Sequence, residues 1–263
     1  MKTFLTDSAC VNIRIIILLV ALLALPLSAP ASDDPWAPRQ QCLFGMPYLG
    51  HAVMPQQAGL LNEIFKLVYE PEDVLFLHER TPYTRALEDV VEGKIHVTLD
   101  VTTKRKGTVP GRAVIATYDL AIMYHHKTPY KDLSSLEGKR VAFMRGFAMD
   151  KRLPVKFKSQ MVYDLSSGFH MLDRGHVDFL LGDTALLRDA MMDSQLPPGK
   201  LIMTYITSYY VRPIFTDSEE GRLLRDIYDR RMKVIIANGD FEHLMEELGV
   251  NKLGIKKVLE ANQ

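Results

Sequence analysis

The chain has 263 residues, with 32 Lys and Arg against 32 Asp and Glu, so its formal net charge at neutral pH is zero. This balance gives no reason to expect nucleic acid or an anionic membrane as a partner, since both attract basic proteins. The length suits one large domain or two domains of about 100 residues each.

The first 31 residues predict a secretory signal peptide. Basic residues precede an apolar run from Ile15 to Leu25, which is shorter than the about 20 residues needed to cross a bilayer. A small-x-small pattern follows and predicts cleavage after Ala31, hence a periplasmic protein. A retained membrane anchor is the alternative. Cys42 is the only cysteine beyond this segment, so we expect no intramolecular disulfide.

A pattern that occurs twice predicts an α/β fold with two similar lobes. Residues 87–99 and 169–181 each contain the end of an amphipathic helix, a glycine and an apolar run. A glycine just past a helix adopts the left-handed conformation that ends it. The apolar run after it is typical of a strand buried on both faces. The two copies differ in one respect, because His96 stands where Asp178 stands in the second.

Local signals define the other elements of the first part of the chain. Thr81 is interpreted as the N-cap of a helix, because Pro82 suits the first helical turn. An earlier helix ends before Pro71, which disfavours helix in the residue ahead of it. The predicted elements are strands at 42–45, 74–77 and 94–99 and helices at 59–68 and 81–93.

The second part of the chain follows the same logic. Residues 134–137 have a capping-box pattern and predict one helical turn. Asp217 or Ser218 caps a long helix that ends at Asn238, and the lysines beyond Gly249 are interpreted as a frayed tail. The other predicted elements are extended crossings at 113–124 and 201–215, a strand at 139–144, and helices at 185–192 and 240–248.

Short motifs are spread along the chain between about residue 42 and residue 248. They are residues 59–64, 82–85 with 93–95, 102–105, 133–146, 175–178 with Asp183, and 238–240. In this order and at these separations they resemble the family 3 extracellular solute-binding proteins, the periplasmic receptors of amino-acid-type importers.

The resemblance implies a two-lobed periplasmic binding protein type II fold. Each lobe is then a central sheet flanked by helices, and the chain crosses the hinge twice. Residues 32–120 with 216–263 form lobe one in this interpretation, and residues 121–215 form lobe two with the hinge strands.

The resemblance also implies a set of ligand-binding residues in the cleft. In relatives that hold amino acids, a first-lobe arginine pairs with the carboxylate and a second-lobe acid takes the ammonium. The residues at matching positions are Tyr48, Tyr83, Thr102, Arg105, Gly146 and Asp183. Phe147 and Ala148 replace the small hydroxyl residues of amino-acid receptors, so a more apolar or differently charged small molecule fits equally well.

Each of these residues also has a simpler interpretation. Arg105 lies in a basic segment that could be a solvated loop, and Asp183 could only cap a helix. Thr102 could close its own turn, and the tyrosines Tyr48 and Tyr83 could be packing residues.

The expected function is a receptor that captures a small polar solute, such as an amino acid or a related organic acid or amine. Its partner would be the membrane permease of an ABC importer. Two alternatives stay open: a cleft enzyme of the cyclohexadienyl dehydratase type, and a ligand-sensing accessory module for a separate membrane protein. We expect a monomer. We expect no catalytic residues, no metal and no cofactor, because common catalytic and metal-binding motifs are missing from the sequence.

Overall fold

A computed structural model describes residues 40–47, 59–101, 105–193, 197 and 199–263. The predicted signal peptide lies outside these ranges. Among the helices within them, none is long and apolar enough to span a membrane.

The first half of the chain builds a β-α-β-α-β unit. Its elements are β1 (Gln41–Met46), α1 (Leu60–Tyr69), β2 (Leu75–Arg80), α2 (Tyr83–Val91) and β3 (Val97–Asp100). Strand β1 pairs in parallel with both β2 and β3, which gives the order β2-β1-β3. The predicted strands and helices of this part of the chain are confirmed, with shifts of one to three residues at their ends.

A second unit with the same topology follows after β4 (Thr108–Pro110) and β5 (Ala116–His125). Its elements are β6 (Arg140–Met144), α3 (Met149–Arg152), β7 (Lys158–Val162), α4 (Leu165–Asp173) and β8 (Phe179–Asp183). All three strands are parallel, in the order β7-β6-β8. The twofold sequence pattern is therefore the last α-to-β step of each unit. Gly93 and Gly175 have φ angles of 72° and 70° there, as a helix stop requires.

His96 and Asp178 have the same role in the two units, since each accepts a hydrogen bond from the backbone of the neighbouring strand. The backbone N–H of Leu43 in β1 donates to His96 Nδ1 at 2.9 Å. The backbone N–H of Arg140 in β6 donates to Asp178 Oδ2 at 2.9 Å. Each side chain therefore anchors the strand beside it, which explains why an imidazole can replace a carboxylate at this position.

One long strand joins the two units. Strand β9 (Leu201–Thr216) pairs with β5 along its first part and with β3 and β4 along its last part, antiparallel throughout. Strand β5 also pairs with β8. Within the described ranges the sheet order is β2-β1-β3-β9-β5-β8-β6-β7, with β4 beside β9. Both predicted extended crossings are confirmed.

Helices after β9 return to the first unit. They are α6 (Glu219–Ala237), α7 (Asp240–Glu247) and α8 (Lys252–Glu260). Helix α6 is capped by Ser218, whose hydroxyl accepts from the Gly221 N–H at 3.0 Å. The ring of Tyr228 in α6 lies 6.0 Å from that of Phe65 in α1, and the Tyr69 hydroxyl donates to the Leu224 carbonyl at 3.0 Å.

The second unit has its own core on the other face of its sheet. Helix α4 contributes Leu165, Phe169 and Leu172 to it, and α5 (Thr184–Asp193) contributes Leu187. These side chains cover Ala142 and Leu180 of the sheet together with other buried residues.

The interpretation of the residues after Gly249 as a frayed tail is wrong. They form α8, which Asn251 caps by accepting from the Gly254 N–H at 2.9 Å. Ile255 and Val258 of this helix are buried. The apolar spacing was present in the sequence, but the lysines between these positions obscured it.

Two of the predicted caps are also wrong. The N-cap of α2 is Pro82, without a side-chain hydrogen bond, while Thr81 is buried and donates its backbone N–H to the Met46 carbonyl. The capping box at the predicted helical turn belongs to Asp132 and Ser135, so this 3-10 turn spans Leu133–Leu136. Both errors come from placing the helix start one or two residues away from its observed position.

One lysine of helix α8 contacts both central strands, which already pair through their backbones. Lys257 Nζ lies 3.0 Å from Asp119 Oδ1 in β5 and 2.9 Å from Ser208 Oγ in β9. Asp119 and Ser208 are direct neighbours across the two strands, and their side chains also bond to each other.

We expect Lys257→Met to lower the free energy of unfolding by about 1 kcal/mol, because it removes a charge-assisted hydrogen bond at a partly buried position. Urea denaturation measures the loss. Lys256→Met is the matched control, since Lys256 is exposed and lies 3.6 Å from an exposed Glu260. Equal losses in the two variants would contradict a bracing role for Lys257.

The ion pair of Asp178 makes stability depend on pH. Hydrogen bonds from Arg140 hold the pKa of the Asp178 carboxyl below its usual range. A lowered pKa adds stability that is present above the usual Asp pKa of about 3.9 and is lost as the pH falls through the lowered value. We expect Asp178→Ala to cost up to about 1 kcal/mol at neutral pH, and the difference from the parent to vanish in acid. A difference that persists at pH 2 in urea denaturation would count against this.

Candidate functional site

The candidate site lies where the two units meet, at the carboxyl ends of their strands. Strand β3 ends at Asp100, β6 ends at Met144 and β8 ends at Asp183. In open α/β sheets this edge is where ligands bind, because the loops that follow the strands converge there.

Asp100 is the centre of the site, and its side chain is 1% exposed. Arg105 donates to Asp100 Oδ2 from Nε at 3.2 Å and from Nη2 at 2.9 Å. Arg152 Nη2 lies 3.8 Å from Asp100 Oδ1. A buried carboxylate is costly unless it is paired and hydrogen-bonded, and here it is shared by two guanidinium groups. One belongs to the first unit and the other to the second.

Arg152 is held in place by its own helix and by an aromatic ring. It is the last residue of α3, and its Nε donates to the Phe147 carbonyl at 2.9 Å. Its guanidinium lies 5.9 Å from the centroid of the Tyr209 ring in β9, within reach of a cation–π interaction.

Three aromatic rings adjoin this charged cluster. The Phe147 ring lies 4.8 Å from Tyr83 at the start of α2 and 5.1 Å from Tyr118 in β5. Burial raises the pKa of both phenols, and the nearby Asp100 carboxylate, which the Tyr83 hydroxyl contacts, raises that of Tyr83 further. Both tyrosines are therefore neutral and can donate hydrogen bonds.

Gly146 lets the second unit approach Tyr83 closely. Its φ angle is 94°, in the left-handed region that favours glycine. A Cβ atom at this position would lie 2.9 Å from Tyr83 Cδ1 and 3.0 Å from Thr84 Cγ2. Any other residue would therefore separate the turn after β6 from α2.

Asp183 caps a helix, which was the simpler of its two interpretations. Its Oδ1 accepts from the N–H groups of Ala185 at 2.9 Å and Leu186 at 3.4 Å. Its Oδ2 accepts from the Asp119 N–H at 3.0 Å. Burial raises the pKa of Asp183, while these backbone donors oppose that shift. Both oxygens are thus occupied in joining β5 to the start of α5.

Three of the predicted site residues, Tyr83, Arg105 and Gly146, therefore meet around Asp100. Asp183 stands at the border of the cluster, near enough to raise the pKa of Tyr118. Tyr48 and Thr102 lie outside the described residues.

Sequence reasoning missed the roles of Asp100 and Arg152. The position of Asp100 at the end of a buried strand was a usable signal, because a charged residue there faces the ligand edge of the sheet. Nothing in the sequence near Arg152 points to Asp100, since their contact depends on how the two units pack.

We expect Asp100→Asn to lower the free energy of unfolding by about 2–4 kcal/mol, because it leaves two partly buried guanidinium groups without a counterion. Chemical denaturation at neutral pH measures the loss. The matched control is Asp217→Asn, whose partner Arg222 lies 2.6 Å away in an exposed pair. We expect this control to cost less than about 1 kcal/mol. Similar losses in both would contradict a special role for the buried pair.

Comparison with known proteins reveals similar structures at low sequence identity. Neither a protein-family model nor a curated protein sequence matches this chain. One similar structure is the substrate-binding protein of an amino acid ABC transporter, with a TM-score of 0.65 and 13% identity over 80% of this chain and 100% of that one.

Two more similar structures are an amino-acid-binding protein and a sensor domain. An ancestral arginine-binding protein bound to glutamine has a TM-score of 0.66 and 16% identity, over 81% of this chain and 100% of that one. A histidine kinase sensor domain with similarity to periplasmic binding proteins has a TM-score of 0.68 and 13% identity, over 80% and 96% of the two chains. The protein therefore has the two-lobed α/β fold of periplasmic binding proteins, as the sequence resemblance implied.

Proposed function

We propose that this protein is a periplasmic receptor that captures a small solute between its two lobes and delivers it to the permease of an ABC importer. The observation that carries the proposal is the convergence of Arg105 from the first unit and Arg152 from the second on one buried carboxylate. A site assembled from both units can be complete only when the lobes are together.

The lobes in this proposal are residues 32–120 with 216–263, and residues 121–215. A ligand held between lobes is desolvated from both sides, and contacts that exist only in the closed form favour closure. Strands β5 and β9 are the connections about which such a motion would occur. The predicted signal peptide, with cleavage after Ala31, supports a periplasmic location.

A sensing role is the second candidate. The similar histidine kinase sensor domain supports it, since the same fold there belongs to a signalling protein. The cleft chemistry is the same for both roles, so the two differ in the partner that recognises the outer surface. Pull-down from membranes in the presence and absence of ligand would separate a permease from a sensor.

We expect a bound solute to raise the melting temperature without being consumed. The gain in stability should follow RT ln(1 + [L]/Kd) for one site. Differential scanning fluorimetry over a panel of amino acids, organic acids, amines and sugars measures it. Recovery of the ligand after incubation tests for turnover, and a chemically changed ligand would favour the cleft-enzyme alternative.

We expect Arg105→Ala to weaken binding of any such solute by about 10- to 100-fold, the range for losing hydrogen bonds to a charged group. Arg222→Ala is the matched control, because Arg222 also pairs with a carboxylate but lies on the exposed surface. Calorimetry on both variants gives the Kd values. An unchanged Kd in Arg105→Ala would remove Arg105 from the site, and no thermal shift with any solute would contradict the proposed function itself.

A further inference from the structure

We propose that the ligand is an organic anion with an apolar or aromatic body and no α-ammonium group, held by Arg105 and Arg152 together. This inference rests on the proposed function and names the chemical class of its solute. The first guanidinium comes from the first unit and the second guanidinium from the second unit, so the anion would bridge the two lobes.

The charges of the cluster favour an anion. Asp100 contributes one negative charge, while Arg105 and Arg152 contribute two positive ones. The carboxylate of Asp183 lies at the border of the cluster and faces backbone N–H groups. The carboxylate is 1% exposed, whereas the guanidinium side chains are 31% and 23% exposed. A solute that enters the site would therefore meet positive charge first. An ammonium group would be repelled by both arginines before it could reach the buried carboxylate.

The two guanidinium groups have donors to spare. Arg105 uses Nε and Nη2 on Asp100. Arg152 uses Nε on the Phe147 carbonyl, with Nη2 towards Asp100. Neither Nη1 group makes a hydrogen bond to the part of the chain that the structure describes. Guanidinium groups present planar pairs of N–H donors, which match the two oxygens of a carboxylate.

The carboxylates near the cluster already accept hydrogen bonds from the chain itself, so none of them is held ready for an ammonium group. Asp183 was predicted to take the ammonium, but its two oxygens accept from three backbone N–H groups. Asp119, whose backbone N–H donates to Asp183, accepts hydrogen bonds from Lys257 and Ser208 through its own carboxylate. Among the described residues of this cluster, an α-amino acid would therefore find no carboxylate without hydrogen-bond partners for its ammonium group.

The neutral part of the site is aromatic. The Phe147 ring packs between Tyr83 and Tyr118, and the Tyr209 ring lies under Arg152. Aromatic faces favour flat or apolar groups, and Phe147 and Ala148 offer no hydroxyl to a second polar group. Tyr83 of the first unit and Phe147 of the second are only 7% and 9% exposed, so an aromatic or short aliphatic body would reach these rings where separation of the lobes uncovers them.

Two matched sets of probes test the proposal on the full mature chain. The aromatic set is 3-phenylpropanoate, L-phenylalanine and 2-phenylethylamine, which share one body and carry a carboxylate, both groups or only the amine. The aliphatic set is pentanoate, L-norvaline and butylamine. We expect the carboxylate of at least one set to bind at least tenfold more tightly than its amino acid by calorimetry, and the amines not to bind.

Variants test the two guanidinium groups separately. We expect Arg105→Ala and Arg152→Ala each to weaken carboxylate binding at least tenfold, Arg152→Lys to restore part of the loss, and Arg222→Ala to leave the Kd unchanged. Circular dichroism melting shows whether each variant is folded. If an alanine variant does not fold, the comparison of the three probes on the parent chain still decides the charge preference.

Specific results would overturn the proposal. Tighter binding of the amino acid or the amine than of the matched carboxylate would reject an anionic ligand but leave the proposed function standing. An unchanged Kd in a folded Arg152→Ala would reject the two-arginine clamp. If only another solute of the wider panel binds, that solute is compared with its deaminated or aminated counterpart, and preference for the aminated form overturns the proposal. No binding by any solute overturns the proposed function as well.

Discussion

The structure depends most on how the charge of Asp100 is compensated. This carboxylate lies at the end of a buried strand, where an isolated charge would cost several kcal/mol. Two arginines and a tyrosine hydroxyl supply the compensation. Since one arginine comes from each unit, this carboxylate contacts both units at the place where they meet. Arg152 in turn positions the Phe147 backbone, and with it the aromatic part of the site.

The two units repeat the same topology but differ in the residues that surround the last aspartate of each sheet. Both units have the strand order of a parallel β-α-β-α-β fold, and both anchor the middle strand with a side-chain acceptor, His96 or Asp178. Both final strands end in an aspartate. Asp183 is satisfied by backbone N–H groups and serves to fix a helix, whereas Asp100 is satisfied by side chains. At the edge with Asp100, two guanidinium groups lie where a ligand could use them.

The sequence predicted what local chemistry determines and missed what depends on packing. Helix stops at Gly93 and Gly175, the buried strands after them and the long crossing strand β9 follow from residue type and spacing, so these were found. Arg105 and Gly146 were predicted as ligand-binding residues through a motif resemblance, and both lie in the cluster around Asp100. Arg152 was missed because its significance comes from Asp100, 52 positions earlier in the chain. Helix α8 was missed because two consecutive lysines separate its buried residues Ile255 and Val258.

The contacts of Asp100 with its two arginines differ in length, as expected of a site whose lobes separate. Its pair with Arg105 lies within the first unit at 2.9 Å, whereas its pair with Arg152 joins the two units at 3.8 Å. Separation of the lobes would break the longer contact and leave the shorter one, so the carboxylate would keep a counterion in both states. The longer contact alone contributes little to holding the lobes together. An anion between Arg105 and Arg152 would strengthen this weaker link, and a ligand shifts a conformational equilibrium only through such differential contacts.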